Sequence, residues 1–453
     1  MPHKKKVLLL NPPADQKKII KDQYCSFTSK GDYYWIPIDL LILSGDIGAN
    51  FDVNVLDAVV EDISEEDVLD KISSLRPDHI VLLSSLLTHD IDRNLVNKAR
   101  DLGLKFKTTF IGDIFYFEYR KMISFKEVDS IIYEYPAPEL IDYISDEKPA
   151  SNVIYKDLGG EIVETPKRTG KYVKYSIPLH EKFPLSKYTV PFMVGEKISS
   201  ILTNFGCTFT CNYCPASSVN FRQRSTEDFE AELRYLLGIN VNNLWIRDFT
   251  FGLDAKETTS ILTVLQKYDF TWFGLTRSER ITESLLKELY ASGCYLLMIG
   301  IDTISDKSMG AVKRSQEVEE LKNSIDLVSE YKIQALVHLI LGLPGETPRE
   351  MLKSIHFCAS TKASFLSVNF FSKRSGSAYF DDASIDSQDK RSLDSLSAEN
   401  GDEGSFFLFM FKLYALLTFY LRPSRVVRIL SNTKTRKQLG FIVRTGFFQF
   451  FKT

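Results

Sequence analysis

Short apolar runs alternate with stretches of helical period from the start of the chain to residue 147. Lys6–Leu10 (KVLLL) reads as a buried strand ended by Asn11-Pro12-Pro13, and Ile36–Ile47 as a helix. Asp52–Asp57 (DVNVLD) alternates like a strand, Glu65–Leu75 has helical spacing, and His79–Ser84 is again a strand. Asp92–Leu102 and Lys107–Ile111 form a further helix–strand pair, as do Phe117–Ser124 and Ser130–Tyr133. Short apolar strands in regular alternation with helices predict a parallel sheet covered on both faces. Residues 1–147 are therefore expected to be a doubly wound α/β domain of about five strands. Its ligand edge lies at the strand C-termini, near Asn11, Asp57, Ser84 and Gly112.

Residues 148–196 lack sustained period and contain Pro166, Pro178, Pro184 and Pro191, which reads as a connector. Alternation resumes over residues 197–375. Strand candidates are Ser199–Thr203, Asn243–Asp248, Thr271–Thr276, Tyr295–Ile301, Gln334–Leu341 and Phe365–Phe370. Helical stretches separate them, among them Glu227–Leu237, Glu283–Ser292, Glu317–Tyr331 and Pro348–Ala359. With no Gly-rich dinucleotide turn, six such units in a row predict a partial (β/α)6 barrel with its chemistry at the strand C-termini. Residues 376–404 are expected to be an acidic flexible loop, because eight acids from Asp381 onward meet two bases. Residues 405–453 reverse the pattern, with nine Lys/Arg, no Asp or Glu and ten Phe, and are expected to form a helical C-terminal extension.

At 453 residues and about 150 per domain, the chain has room for roughly three such units. Hydrophobic residues at 44% and charged residues at 25% exclude whole-chain disorder. A net charge of −3 gives no global basic excess, so no nucleic-acid partner is expected. No run of 18 apolar residues predicts a membrane-spanning helix, and the opening VLLL run is too short for a signal peptide. A cytoplasmic protein is expected.

The cysteines sharpen the picture. Cys25, Cys294 and Cys358 stand singly, and the last two, in apolar contexts, read as small core residues. Cys207, Cys211 and Cys214 fall within eight residues, directly after a strand, at spacing C-x3-C-x2-C. Three thiolates so placed can ligate three irons of a cubane cluster and leave the fourth open. Zinc is the alternative, but it normally takes a fourth Cys or His, and His180 is the nearest upstream. His338, in a strand, reads as a core histidine.

With an aromatic residue before its last cysteine, this loop resembles the radical S-adenosylmethionine (SAM) superfamily. Four further segments resemble the subgroup with N-terminal cobalamin-binding domains, the group of the class B radical methyltransferases and the anaerobic magnesium-protoporphyrin ester cyclase. They are Leu244–Asp254 (LWIRDFTFGLD), Thr276-Arg277 with Ile281–Cys294, Ile299–Asp302, and Leu339–Thr347 (LILGLPGET). The opening VLLLNPP and Pro37–Gly45 resemble the start of the cobalamin domain. The resemblance implies that Cys207, Cys211 and Cys214 hold a [4Fe–4S] cluster whose open iron chelates SAM, giving a 5′-deoxyadenosyl radical on reductive cleavage. It implies that Tyr213 and the Leu339-Ile340-Leu341 backbone cradle adenine, and that Asp248 meets the methionine amine. Arg277 would meet the methionine carboxylate, or else form an ordinary rim ion pair. Asp302 stands where the subgroup usually has a glutamate toward ribose. An electron donor such as flavodoxin or ferredoxin is implied as partner.

Cobalamin itself is implied by the subgroup, but the first domain departs from its pattern. It has no D-x-H-x-x-G stretch, carries Ile111-Gly112-Asp113 where a Gly-Gly turn is usual, and has Tyr133-Glu134-Tyr135-Pro136 in place of G-E-G-E. Asp113 would crowd the phosphate-bearing tail, and His89 reads as a surface histidine. The expected activity is methyl transfer or oxidative modification, such as ring formation, at an unactivated carbon of a small or lipid-like metabolite. Cobalamin-independent rearrangement, dehydrogenation or carbon–carbon coupling is the alternative, and a cluster-bearing membrane-surface scaffold is the non-enzymatic one. Methylthio transfer to tRNA fits poorly, since Cys25 alone cannot hold a second cluster. The Phe-rich tail, with Arg422, Arg425, Arg428, Lys434, Arg436, Lys437, Arg444 and the terminal Phe447, Phe448, Phe450 and Phe451, reads as a helical cap on the barrel. Its alternative is a peripheral contact with the inner face of the membrane.

Overall fold

The computed structural model describes residues 4–14, 19–29, 31, 33–381, 403–433 and 438–444. Two compact units divide the chain, one built on Tyr34–Tyr188 with the N-terminal strand, the other on Thr189–Tyr379 with the C-terminal helices. The expected acidic loop, Lys434, Arg436, Lys437 and the terminal phenylalanines fall almost wholly outside the described residues.

In the first unit, seven strands pair in the order Asp52–Asp57, Lys6–Asn11, His79–Leu83, Lys107–Ile111, Ser130–Ile132, Val153–Lys156, Ile162–Glu164. The first five are parallel, as expected of apolar runs buried on both faces. The last two are antiparallel, and they come from the segment expected to be a connector. That expectation is corrected: the first unit extends to Tyr188, because Val153–Lys156 completes the edge left open by Ser130–Ile132. Helix Ile38–Gly48 buries ten of its eleven residues, so it is a core helix rather than a surface one. A Cβ at Gly45 would stand 2.5 Å from the Ile177 carbonyl, which is how the passing chain comes so close. An antiparallel hairpin, Ile19–Asp22 with Cys25–Thr28, follows the first strand and was not expected.

In the second unit, Ile198–Ile201, Asn243–Ile246, Thr271–Thr276, Cys294–Asp302, Gln334–Leu341 and Phe365–Phe370 form one parallel sheet in chain order, an open barrel with a helix before each later strand. Ser225, Asp254, Thr282 and Thr347 cap their helices through side-chain oxygens. Strand register sets Trp245 beside Phe273, Leu275 beside Met298, Gly300 beside His338, and Ile340 beside Asn369 on one face. Much of that face is only half-buried, whereas Leu244, Ile246, Leu297, Val337 and Leu339 on the other face are fully buried under helices.

Helix Glu403–Tyr420 packs on Pro348–Ser360 and on the last two strands, burying Ala415, Leu416 and Phe419. The Tyr420 hydroxyl accepts from the Leu366 amide (3.0 Å). From the next helix, Pro423–Asn432, Arg425 lies 3.6 Å over Phe419 and donates to the carbonyls of Ala359 (2.8 Å) and Thr361 (3.2 Å). The cap is thus the arrangement seen for residues 403–432. Among the described residues no single helix is long and apolar enough to cross a membrane.

Candidate active site

The first barrel strand runs straight into the cysteine loop, and its exit is fixed by Asp248. That buried carboxylate accepts from the amides of Thr203 (2.8 Å) and Asn204 (3.2 Å), from Asn204 Nδ2 (2.9 Å) and from the Thr203 hydroxyl. Burial raises its pKa to about 7, against those hydrogen bonds. Both oxygens accept from the loop, so Asp248 braces it. Asn204–Phe205 then pairs with Arg222–Arg224, closing the loop at its base. Gly206 follows in the left-handed region (φ 70°), where a Cβ would stand 2.5 Å from the Asn220 carbonyl.

Cys207 and Cys214 are half-buried and Cys211 is buried. The loop is stitched down by the Asn212 amide on Val312 O (3.2 Å), Asn212 Nδ2 on Ala311 O (3.0 Å) and the Ala378 amide on Asn212 O (2.8 Å). Among the described residues, no three His, Cys, Asp or Glu side chains converge where they could hold a single metal ion. Three thiolates on one loop, without a fourth Cys or His near them in sequence, are the donor set of a site-differentiated cubane rather than of zinc. Burial pushes the Cys214 thiol up to about 12, so loading a cluster must displace a proton there.

Tyr213, between the last two cysteines, donates to Asp302 Oδ2 (2.5 Å), and Arg314 pairs with the same oxygen at 2.7 Å. Arg314 also donates to Gly300 O (2.5 Å). Burial would lower the Arg314 pKa, but Asp302 outweighs it and the net direction is upward. Asp302 itself sits at φ 59°, at an irregularity in the fourth strand. The triad Tyr213–Asp302–Arg314 therefore fastens the cysteine loop to the barrel wall, and Arg314, absent from the expected site, lacked any motif to announce it. Arg277 reaches Cys211 Sγ (3.3 Å), stacks 3.8 Å over Phe209 and pairs with Glu279. Of its two expected roles, the ion pair is the one observed, with a cluster cysteine as second partner.

The LILGLPGET segment closes the fifth strand, next to the edge strand Phe365–Phe370. Leu339 and Leu341 point into the buried helix side, while Ile340 stays half-buried beside His338 on the concave face. Leu341 O accepts from the Phe371 amide (3.0 Å). Glu346 accepts from the Gly342 and Leu343 amides (3.0 and 3.3 Å) and from Thr303 Oγ1 (2.8 Å); burial raises it to about 7. Glu346 lay within a quoted motif and could have been picked out as the residue that shapes this turn. His338 is not a core residue, and Cys294 and Cys358 are.

The crevice of the first unit is filled by its own chain. The hairpin places Lys21 between the first and third strands, where a doubly wound sheet takes its ligand. Its Nζ donates to Leu83 O (3.1 Å) and Pro12 O (3.3 Å) and pairs with Asp92 (3.3 Å), with both side chains wholly buried. Ser84 and Thr88 hydroxyls donate to that carboxylate at 2.6 Å each. Asp113 accepts from the Leu86 amide (2.7 Å) and the Ser26 hydroxyl (2.9 Å), and Asp57 from Asn11 and Tyr188 (2.8 Å each). His89 is buried at the start of helix His89–Asp101, so it is not the surface histidine expected. Lys21, Asp92, Asp113 and the hairpin thus form a buried polar cluster at the strand C-termini of this unit.

Residues 201–358 match the model of the radical SAM superfamily. An uncharacterized methyltransferase of Pyrococcus horikoshii is 24% identical over 339 residues, covering 71% of this chain and 72% of that protein. The radical SAM methyltransferase TsrM of Kitasatospora setae, solved with cobalamin and a [4Fe–4S] cluster, superposes with a TM-score of 0.64 at 16% identity, covering 83% of this chain and 74% of that one. The cobalamin-dependent radical enzyme OxsB gives 0.61 at 16% identity, over 96% of this chain but 62% of that one. Those two likenesses establish the fold over both units. Residues 201–358 are thus a radical SAM domain by their match to the family model, and that family implies a [4Fe–4S] cluster and SAM.

Proposed function

We propose that this enzyme cleaves SAM reductively and uses the product to functionalise an unactivated carbon of a small or lipid-like metabolite, with methyl transfer as the outcome. The observation that carries the reading is the loop of three thiols, with no fourth Cys or His near it in sequence, at the end of a barrel strand whose sheet has one half-open face that is apolar and aromatic. When bound at Cys207, Cys211 and Cys214, the cluster supplies an electron for SAM cleavage. The chain's own residues do the positioning. Tyr213, Asp302 and Arg314 fix the loop, Arg277 sets a positive charge against Cys211, and Glu346 shapes the turn after Leu339-Ile340-Leu341, where adenine is expected. Trp245, Phe273, Leu275, Met298 and Ile340 line a face suited to an apolar substrate and to excluding water, with His338 and Asn369 as its polar points. A low-potential donor such as flavodoxin or ferredoxin would supply the electron. Methyl transfer is supported by the Pyrococcus relative, a methyltransferase by name, and by the fold shared with TsrM and OxsB.

A second reading, radical chemistry without cobalamin, is favoured by the crevice closed around Lys21. One experiment separates the two. The protein is purified anaerobically with hydroxocobalamin supplied, its iron, sulfide and cobalt are counted, and 5′-deoxyadenosine and S-adenosylhomocysteine are measured under strong reductant. Four irons with stoichiometric cobalt and S-adenosylhomocysteine support methyl transfer. Four irons and 5′-deoxyadenosine without cobalt support the second reading. Absence of SAM cleavage from fully loaded protein would overturn both.

A further inference from the structure

The helix Glu403–Tyr420 is apolar all round, and the barrel uses one side of it. On the other side Phe407, Met410, Tyr414, Leu417 and Leu421 recur at steps of three and four, each substantially exposed. The chain then bends by 73°, and Val426, Val427 and Leu430 continue the apolar surface on the next helix. Leu421 is 74% exposed, Phe406 69% and Val427 65%. A run of this size is more than the scattered apolar side chains of an ordinary surface, and it marks a contact face.

The charge around it selects the partner. Residues 405–453 carry nine Lys/Arg and no Asp or Glu. Among the described ones, Arg422 is exposed at the bend and Arg444 further on, while Arg425 and Lys412 are buried in the cap. Two copies meeting through this segment would set like charges against each other, whereas an anionic lipid surface is complementary in both respects. The 73° bend also breaks the straight seam a coiled coil needs, and Arg422 lies exposed at the bend beside the apolar residues. We propose that the face formed by Phe406, Phe407, Met410, Leu417, Leu421 and Val427 docks the enzyme on an anionic membrane surface, without spanning it.

The test uses the full chain and vesicles of phosphatidylcholine with 30% phosphatidylglycerol, against vesicles of phosphatidylcholine alone, in a sedimentation assay. The protein should partition at least ten-fold more strongly onto the anionic vesicles, and less so as salt rises. Leu421→Glu with Val427→Glu, both exposed and outside the SAM site, should reduce that binding ten-fold or more while SAM cleavage is retained. Equal, weak association of the folded wild-type protein with both vesicle types would overturn the proposal. So would a wild-type dimer in sedimentation velocity that the double variant converts to monomer without change in vesicle binding, since a second copy would then be the occupant.

Discussion

Removing Arg314 tests whether the cysteine loop is held as described. Arg314 and Asp302 are both almost wholly buried and 2.7 Å apart, and Asp302 also takes the Tyr213 hydroxyl. Arg314→Met keeps length and packing but leaves a buried carboxylate with one hydrogen bond, and losing one partner of such a pair costs about 3–5 kcal/mol. Tyr213→Phe removes a single hydrogen bond to a charged group and should cost about 1.5–3 kcal/mol. The informative variant is Asp302→Asn in the Arg314→Met background. Asparagine tolerates the left-handed backbone at position 302, so removing the stranded charge should restore about 2 kcal/mol of the loss without backbone strain. Anaerobic urea unfolding followed by tryptophan fluorescence reads these values, because Trp272 is fully buried in the barrel. Iron content after reconstitution reads the functional side and should fall in Arg314→Met and recover in the double variant. A loss below about 1 kcal/mol for Arg314→Met, or no recovery on adding Asp302→Asn, would refute the picture of a charged, load-sharing triad.

Three further outcomes are expected. Cys207→Ala, Cys211→Ala or Cys214→Ala should each abolish SAM cleavage and bring iron well below four per chain, read by metal analysis, while the urea midpoint of the metal-free protein barely changes. Asp248 and Glu346 are both raised by burial to about 7 from ordinary carboxylate values, so they bind protons more tightly folded than unfolded. Their contribution is complete below about pH 4 and is lost as pH rises through 7, giving a fall on the order of 2–3 kcal/mol each, about 5 together, between pH 5 and 8 in the unfolding free energy of metal-free protein read from urea curves. A midpoint that rises over that range would contradict the burial of these groups. Gly112→Ala should prevent folding of the first unit, since its Cβ would lie 1.9 Å from the Ser84 carbonyl at φ 116°; soluble, natively resistant protein in limited proteolysis would contradict it.

Nearly all of both sheets could be read from the chain. Thr271–Thr276, Gln334–Leu341, Phe365–Phe370 and Lys107–Ile111 have the bounds expected of them, because short β-branched and aromatic runs between turn residues mark strands even where His338 and Asn369 face the open side. The hairpin Ile19–Thr28 escaped because Lys21, Gln23 and Ser26 look like loop residues. Their polarity is met by carbonyls and carboxylates distant in sequence, Leu83 and Asp92 for Lys21 and Asp113 for Ser26. The strand Val153–Lys156 escaped for a related reason: its stability comes from the open edge at Ser130–Ile132, which four residues cannot signal alone. At the site, spacing located the thiols, but side-chain commitments were illegible. A carboxylate at a strand end can face a ligand or fold back on a neighbouring strand, and Asp248 folds back. The tail was ambiguous because an all-apolar helix has no period to say which side the barrel takes.

The same chain treats the ligand edges of its two units in opposite ways, and that contrast bears on where chemistry resides. In the first unit, the ends of the strands are occupied by an ammonium and two carboxylates in a closed network, with Asp113 where a second glycine would let a ligand's backbone contact form. In the second, the loop ends carry three thiols and a turn shaped by Glu346, and the concave face between them keeps Trp245, His338, Ile340 and Asn369 partly open. The first network is interdependent, since exchanging Lys21 would strand the buried Asp92 carboxylate and exchanging Asp92 would strand the Lys21 ammonium. A substitution at Lys21 or Asp92 would therefore be felt through the hairpin and the first and third parallel strands, whereas the barrel's loop residues Tyr213, Asp302 and Arg314 form a separate buried triad.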